Sequence, residues 1–375
     1  MKILFVTTIA NTVNLFLIPH LKFLIEQGNE VGVAFNSYDV SPEILNLPCK
    51  IHQIEFSRSP LNKDNFSAYK KIKEIVAKEG YEFIHVHTPV ASFITRLACR
   101  KLKNIRIFYT VHGFHFFKGS PIKNWAIYYT LERMSAKWTD GLITMNQEDF
   151  QHAKELKLRT SDSIFQVHGV GLDLKKYTSP TMEKKNKLRN RYNYNLEDFI
   201  LIYVGELSFR KHQDLLINSV NLLRGKIPNL KLLLVGSGPL ENNYKELVNR
   251  LGVKTHVDFL GYREDIPELM KIADVAVSTS RQEGLPVNVM EAMASGLPVV
   301  ATNVRGNRDL VVDEVNGLLC GVDDAEGCAG SIEKLYKSVH LRRVFSLKNM
   351  EIIQTYSIDH VLLEMKEIYE KQFIC

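Results

Sequence analysis

Cysteine is scarce: five in 375 residues, at positions 49, 99, 320, 328 and 375, with no Cys-x-x-Cys pair among them. An odd number at long spacings builds neither a disulfide framework nor a zinc site. Buried thiols in a reducing cytosol are the expectation. No apolar run reaches the ~18 residues that cross a bilayer. The opening Met1 and Lys2, then ILFVTTIA, carries no A-x-A cleavage site, and Pro19, His20 and Lys22 follow soon after. That stretch reads as a buried first strand rather than a leader. Asp-x-Asp, a Gly-x-Ser-x-Gly elbow and a P-loop are all missing. No group of His, Cys and carboxylate residues has metal-ligand spacing. GSGPLE (236–241) starts like a dinucleotide fingerprint. It lacks the third glycine and does not follow the first strand of its domain, which argues against NAD.

What is present suits a soluble globular chain: 45% hydrophobic and 24% charged residues exclude disorder and a collagen-like fibre. At roughly 150 residues per domain the length points to two domains with a core each. The net charge of +6 is uneven: residues 1–180 hold 23 basic against 16 acidic groups, and residues 181–375 hold 25 against 26. A basic half suits a polyanion or an anionic membrane, or is an ordinary solvated surface.

Short apolar runs alternate with helical patterns. ILFVT (3–7), VGVAF (31–35), FIHVH (83–87), RIFYTV (106–111) and GLITM (141–145) read as strands. Helices are expected at Leu15 to Gln27, ended by Gly28, and at Phe66 to Lys78, ended by Gly80. VHGVGLDLKKYTSP (167–180) has no clear period and is the linker candidate. The pattern then restarts with FILIYVG (199–205), LKLLLVG (230–236), VDFLG (257–261), DVAVSTS (274–280) and LPVVAT (297–302). Two doubly wound α/β domains in tandem fit this alternation, with ligands at the carboxyl ends of the strands. The last helix, about Ile358 to Phe373, is amphipathic.

Glu283 stands at a strand-to-helix turn, Pro286 suits a first helical turn, and Glu291 follows eight residues after Glu283. Helix N-termini hold phosphate through free N–H groups. Two carboxylates beside an anion site fit as acceptors for hydroxyls flanking a diphosphate, sugar on one side and ribose on the other. The plain alternative is a surface pair favoured by the helix dipole.

The segment RQEGLPVNVMEAMASGLPVVAT (281–302) resembles the retaining glycosyltransferases of family 4, whose signature is Glu, seven residues, Glu, then a G-x-P-V-V ending. GELSFRKHQDLLI (205–217), LLLVGSGPLE (232–241), VDFLGYREDIPELMKIADVAVSTS (257–280) and TVHGFHFFKG (110–119) extend the resemblance over nearly the whole chain. It implies the GT-B fold, two Rossmann-like domains facing an interdomain cleft. Residues 1–172 would form the acceptor-side domain, with helix 358–373 packing back on it. Residues 173–357 would bind the nucleotide-sugar. The TVHGFHF segment is similar to the branch that builds bacterial capsule or exopolysaccharide repeat units.

By the same resemblance, Lys211 pairs with the donor diphosphate and His112 lies near the donor sugar and β-phosphate. Glu283 holds sugar hydroxyls and Glu291 the ribose. Gly205, Gly236, Leu285, Pro286 and Val287 belong to the donor site, and Tyr262 and Arg263 border the base. Two departures matter. Many relatives place an arginine after the first glycine, where this chain has Glu206; Arg210, next to Lys211, is expected to supply the second positive charge. The first loop, Thr7 to Thr12, lacks the relatives' paired glycines, and Thr8 and Asn11 are the candidates for binding acceptor hydroxyls.

Phe114, Phe116, Phe117, Trp125, Tyr128, Tyr129 and Trp138 are interleaved with Lys118, Lys123, Arg133 and Lys137, and Arg96, Arg100, Lys101, Lys103 and Arg106 precede them. Aromatic and basic residues together suit a membrane interface, and equally a buried helix whose rings are core. Stacking on nucleic acid has no further support. The reading is a cytoplasmic enzyme, peripheral at the inner face of the cell membrane, that needs no metal or cofactor. It would move a sugar from a UDP-sugar to a lipid-diphosphate-linked saccharide. A nucleotide-sugar epimerase on the same fold and a non-catalytic sugar- or membrane-binding scaffold are the alternatives.

Overall fold

The computed structural model describes residues 1–36, 39–57, 59 and 62–373. Cys375 lies outside the described residues; Cys49, Cys99, Cys320 and Cys328 are free thiols, all but Cys49 buried. The chain divides into two compact units, Met1–Gly171 with Ile358–Cys375, and Leu172–Ser357.

The first unit holds a parallel sheet of seven strands: Lys2–Ile9 (β1), Glu30–Asn36 (β2), Lys50–Gln53 (β3), Phe83–Val86 (β4), Arg106–Val111 (β5), Gly141–Thr144 (β6) and Ile164–Gln166 (β7). Their order is β3-β2-β1-β4-β5-β6-β7. Leu4, Val6, Ile84 and Val86 join one core, and the alternate residues Ile3, Phe5 and Phe83 on the other face are buried too, which explains the unbroken apolar runs. The helix Asp64–Glu79 ends at Gly80, whose φ of 70° is open to glycine without strain. The C-terminal helix Ile358–Phe373 buries Val361, Met365, Ile368 and Tyr369, one stripe at helical spacing.

The second unit holds six parallel strands: Phe199–Val204 (β8), Leu230–Val235 (β9), Val257–Gly261 (β10), Val275–Ser278 (β11), Val299–Thr302 (β12) and Gly317–Cys320 (β13). The order is β10-β9-β8-β11-β12-β13. Leu201, Tyr203, Leu232 and Leu234 join one core, and Ile200, Ile202, Leu233 and Val235 join another. Alternate residues of one strand feeding two cores is what helices on both faces require.

Three strands escaped the reading of the sequence: β3, β7 and β13. All lie at sheet edges and are only three or four residues long. The membrane reading needs one correction. Arg96 is fully buried, pairs with Glu132 at 2.8 Å and lies over the Tyr109 ring at 4.4 Å. It contributes nothing to a basic surface. Phe114 and Phe116 are likewise core, stacked with centroids 4.5 Å apart, and Trp125, Tyr128 and Tyr129 pack against that core. Among the described residues no helix is long and apolar enough to cross a membrane.

Candidate active site

In each sheet the strand order reverses beside the first strand of the unit, at β1/β4 and at β8/β11. Such switch points leave a crevice at the carboxyl ends of the strands, because the following loops diverge to opposite faces.

At the second switch point, the loop after β8 and the loop after β11 bring three predicted residues together. Lys211 Nζ lies 2.6 Å from Glu283 Oε1, and Arg210 NH1 lies 3.1 Å from Glu283 Oε2. Ser280 Oγ donates to Glu283 Oε1 at 2.6 Å, and Arg305 Nε donates to the Glu283 carbonyl at 2.9 Å. The Tyr203 hydroxyl sits 2.7 Å from the Lys211 carbonyl and 2.9 Å from Ser280 Oγ, locking the two loops to β8. Burial pushes the Glu283 carboxyl up, but Lys211 and Arg210 together outweigh it and hold it below its ordinary value. Glu283 is therefore a charged, buried acceptor with two cations on it. Lys211 is buried, whereas the Arg210 side chain is 46% exposed.

Gly205 and Gly236 supply closeness rather than chemistry. Gly236 has φ +135°, and a Cβ there would stand 2.2 Å from the Gly205 carbonyl oxygen. A Cβ on Gly205 itself would touch the Lys211 stem at 3.4 Å. Only glycine lets the two strand ends approach this far.

Glu291 lies on the helix Val287–Ala294, with Pro286 at the N-cap position. Leu285 and Val287 are partly buried against the second core. Burial raises the Glu291 carboxyl to about 7, against opposing pulls from Tyr177 and Lys211. Tyr177 donates to Glu291 Oε1 at 2.6 Å. The Asn288 amide donates to the Val204 carbonyl at 2.8 Å and anchors the start of this helix to the end of β8. Tyr262 is 77% exposed, and Arg263 is paired with Asp265 through two contacts of 2.8 and 2.5 Å. Neither shares a hydrogen bond or ion pair with Lys211, Glu283 or Glu291 among the described residues.

The remaining predicted residues belong to the first unit. Thr8, near the end of β1, is buried, and its N–H and hydroxyl meet Thr88 Oγ1 at 3.0 and 2.8 Å. Asn11 is exposed in the single turn Ala10–Thr12. His112 directly follows β5, and its Nε2 lies 3.0 Å from Nδ1 of His87, which follows β4. Burial pushes His112 down to about 4 and holds His85 and His87 well below their ordinary value. All three rings are neutral near pH 7.

Sequence reasoning missed Tyr177, Tyr203, Ser280, Arg305, Thr88 and His87. Only His87 carried a signal: in the strand-like run FIHVH (83–87) the two histidines alternate, which puts them on one face.

Among the described residues one group could hold a metal: His168, His360 and Glu364, whose ligand atoms lie within 4.8 Å of one another. Both Glu364 oxygens already serve His168, one at its Nδ1 (2.6 Å) and one at its N–H (3.0 Å).

Residues 184–349 match the family model described as Glycosyl transferases group 1, and residues 2–146 match Glycosyl transferase 4-like. EpsD of Bacillus subtilis (strain 168), a protein named as a glycosyltransferase, is 36% identical over 98% of this chain and 96% of its own. An Escherichia coli UDP-Gal:alpha-D-GlcNAc-diphosphoundecaprenol alpha-1,3-galactosyltransferase is 28% identical, covering 82% of this chain and 79% of its own. Campylobacter jejuni N,N'-diacetylbacillosaminyl-diphospho-undecaprenol alpha-1,3-N-acetylgalactosaminyltransferase is 26% identical, covering 91% of each. The crystal structure of Anabaena HepE in complex with UDP-glucose has the same fold, with a TM-score of 0.79 at 20% identity over the full length of both chains.

Proposed function

We propose that this chain, which belongs to the group 1 glycosyltransferases of family 4, moves a sugar from a UDP-sugar to a hydroxyl of a lipid-diphosphate-linked saccharide. Configuration at the anomeric carbon is retained, as the family resemblance implies. The acceptor is a repeat unit of a capsular or extracellular polysaccharide. Two relatives named for undecaprenol-diphosphate acceptors support this acceptor class.

The observation that carries the reading is the group of Lys211, Arg210 and Glu283 at the switch point of the second sheet. A nucleoside diphosphate gains negative charge as it leaves, and fixed cations stabilise that charge without reorganising. Lys211 and Arg210 supply it, so no metal or cofactor is needed for this step. Once a diphosphate takes the cations, Glu283 is released to accept hydrogen bonds from the donor sugar hydroxyls. Glu291 accepts from the ribose diol, and Gly205 and Gly236 let phosphate approach the backbone. His112 contributes a neutral hydrogen-bond donor to the donor sugar or β-phosphate. Thr8 and Asn11 line the acceptor side.

The lipid acceptor brings the enzyme to the inner face of the cell membrane as a peripheral protein. Ile122, Ile127 and Met134 are exposed on one helical segment, beside the exposed Lys118 and Lys123. Apolar and basic groups together suit an anionic bilayer surface.

The test is release of free UDP from a panel of UDP-sugars with and without a polyprenyl-diphosphate saccharide. Release only when the acceptor is present, with sugar on the lipid product, is expected. Conversion of the donor to an isomeric UDP-sugar without acceptor and without free UDP would instead indicate an epimerase, and no turnover with any donor that binds would indicate a scaffold.

A further inference from the structure

His87 is 2% exposed, lies against Phe5 with nearly parallel rings, and among the described residues has no charged neighbour in hydrogen-bond contact. Its Nδ1 meets His112 Nε2 at 3.0 Å, while its own Nε2 is buried with no hydrogen-bond partner among the described residues. With both rings neutral, the shared hydrogen sits on one of two nitrogens. If His112 donated, His87 would carry its proton on Nε2, leaving a buried N–H with nothing to bond. If His87 donates from Nδ1, the orphan is a bare ring nitrogen. A buried donor without a partner is the rarer and costlier of the two, because its bound hydrogen must lose water outright. The second arrangement is therefore favoured.

We propose that His87 is a positioning residue: it donates from Nδ1 to His112 Nε2 and thereby fixes the His112 proton on Nδ1. The hydrogen bond made by one ring nitrogen decides which tautomer the other presents. Among the described residues no protein group bonds to His112 Nδ1, so Nδ1–H is left for a ligand oxygen. His112 then acts as a neutral donor to a sugar or phosphate oxygen and gives up no proton. The identity of that ligand rests on the proposed function, but the tautomer does not.

The wider pocket supports a fixed arrangement. His85 has both nitrogens engaged, Nδ1 with the Tyr369 hydroxyl and Nε2 with Thr110 Oγ1, each at 2.7 Å. Its ring lies 4.4 Å from that of His87. His20 is held by the Val170 carbonyl at 2.9 Å. Neither histidine competes for His87 Nε2, and the ring cannot turn without breaking its single bond.

The test uses the full chain with 15N-labelled histidine and two-bond 1H–15N correlation spectra, the His112 signals being assigned from a His112→Gln variant. Wild type is expected to show His112 protonated on Nδ1. His87→Asn, whose amide nitrogen stands where Nδ1 does, should keep that tautomer and most of kcat. His87→Leu should lose the fixed tautomer and lower kcat by about tenfold or more, with donor KM changed less. A wild-type spectrum with the His112 proton on Nε2, or exchanging between nitrogens, overturns the proposal. So does a His87→Asn variant no better than His87→Leu. The wild-type and Asn spectra decide it even if the Leu variant does not fold. An inactive protein with the Nδ1 tautomer would count against the proposed reaction alone.

Discussion

Tyr177 donates its hydroxyl hydrogen to Glu291 across 2.6 Å, yet the Glu291 carboxyl stays raised to about 7, because burial outweighs that bond and the pull of Lys211. Glu291 is thus divided between its two protonation states near neutral pH. A ribose diol donates hydrogen bonds, so it favours the carboxylate.

UDP affinity is expected to fall as pH drops, by roughly tenfold between about pH 8 and 6 relative to Glu291→Gln. Comparison with that variant removes the titration of UDP itself. Glu291→Ala should weaken UDP by about 1–3 kcal/mol, the usual loss when a charged hydrogen-bond partner is removed. Titration calorimetry measures both. Unchanged affinity in a folded variant would give Glu291 a structural role only.

The same group makes stability depend on pH. Its folded value of about 7 lies above the ordinary 4.5, so the fold favours the neutral carboxyl. That contribution is complete below the unfolded value and is lost as pH rises through the folded one. Glu291→Gln should therefore gain on wild type between about pH 5 and 8, by on the order of 3 kcal/mol. Thermal melts at several pH values check this, and parallel curves for the two proteins would contradict it.

The main residues of the candidate site were legible because they lie in contiguous segments: Glu283 and Glu291 in one, Arg210 and Lys211 in another. Tyr177 was not, since it stands 114 residues before its partner in a stretch with no period. His87 shows only as one of two alternating histidines, and folding β4 beside β5 is what places it against His112. The strands β3, β7 and β13 stayed hidden for a related reason. An edge strand has a neighbour on one side only, so it can be short and lack a long apolar run. Arg96 shows the limit of reading charge from composition: a basic residue in a basic stretch is buried against Glu132.

Membrane contact, with Arg96 excluded, rests on exposed groups. Co-sedimentation with anionic vesicles should fall as salt rises, since screening shortens to about 10 Å at 0.1 M ionic strength. Replacing the exposed Arg100, Lys101 and Lys103 with Ser should weaken it further, and Ile122→Asp should weaken it at every salt concentration. Binding that ignores salt, or none, removes the membrane surface from the proposal and leaves the transferase reaction standing.

His168 and Glu364 form an ion pair in the first unit, and the hydrogen bond that the His168 ring donates to Glu364 raises His168 above its ordinary 6.5. The stabilisation is present below the unfolded value and fades as pH rises through the folded one. His168→Gln should melt below wild type in mild acid, and the gap should close in mild alkali. A gap independent of pH would mean that the ring acts through packing alone.

Arg210 and Lys211 carry the sharpest test, because here the chain departs from its relatives. Glu206 occupies a position often basic in them, so the proposed reaction puts the diphosphate charge on the adjacent pair. Leaving-group charge grows as the glycosidic bond breaks, so both cations matter more in the transition state than in the ground state. Lys211→Ala should lower kcat by about a hundredfold or more, the range for removing a preorganised charge stabiliser, with donor KM changed less. Removing Lys211 also strips the buried Glu283 of its nearer cation, and an uncompensated buried charge destabilises the fold. Lys211→Ala combined with Glu283→Gln should recover the lost stability, which assigns that loss to the uncompensated charge. Arg210→Ala should cost a similar or smaller factor, because its side chain is 46% exposed and the Glu283 carboxylate keeps Lys211. Steady-state kinetics with circular dichroism on each variant decides between these outcomes. Near-normal kcat in Lys211→Ala would remove the donor diphosphate from this pair, and with it the role given to Glu283 beside them.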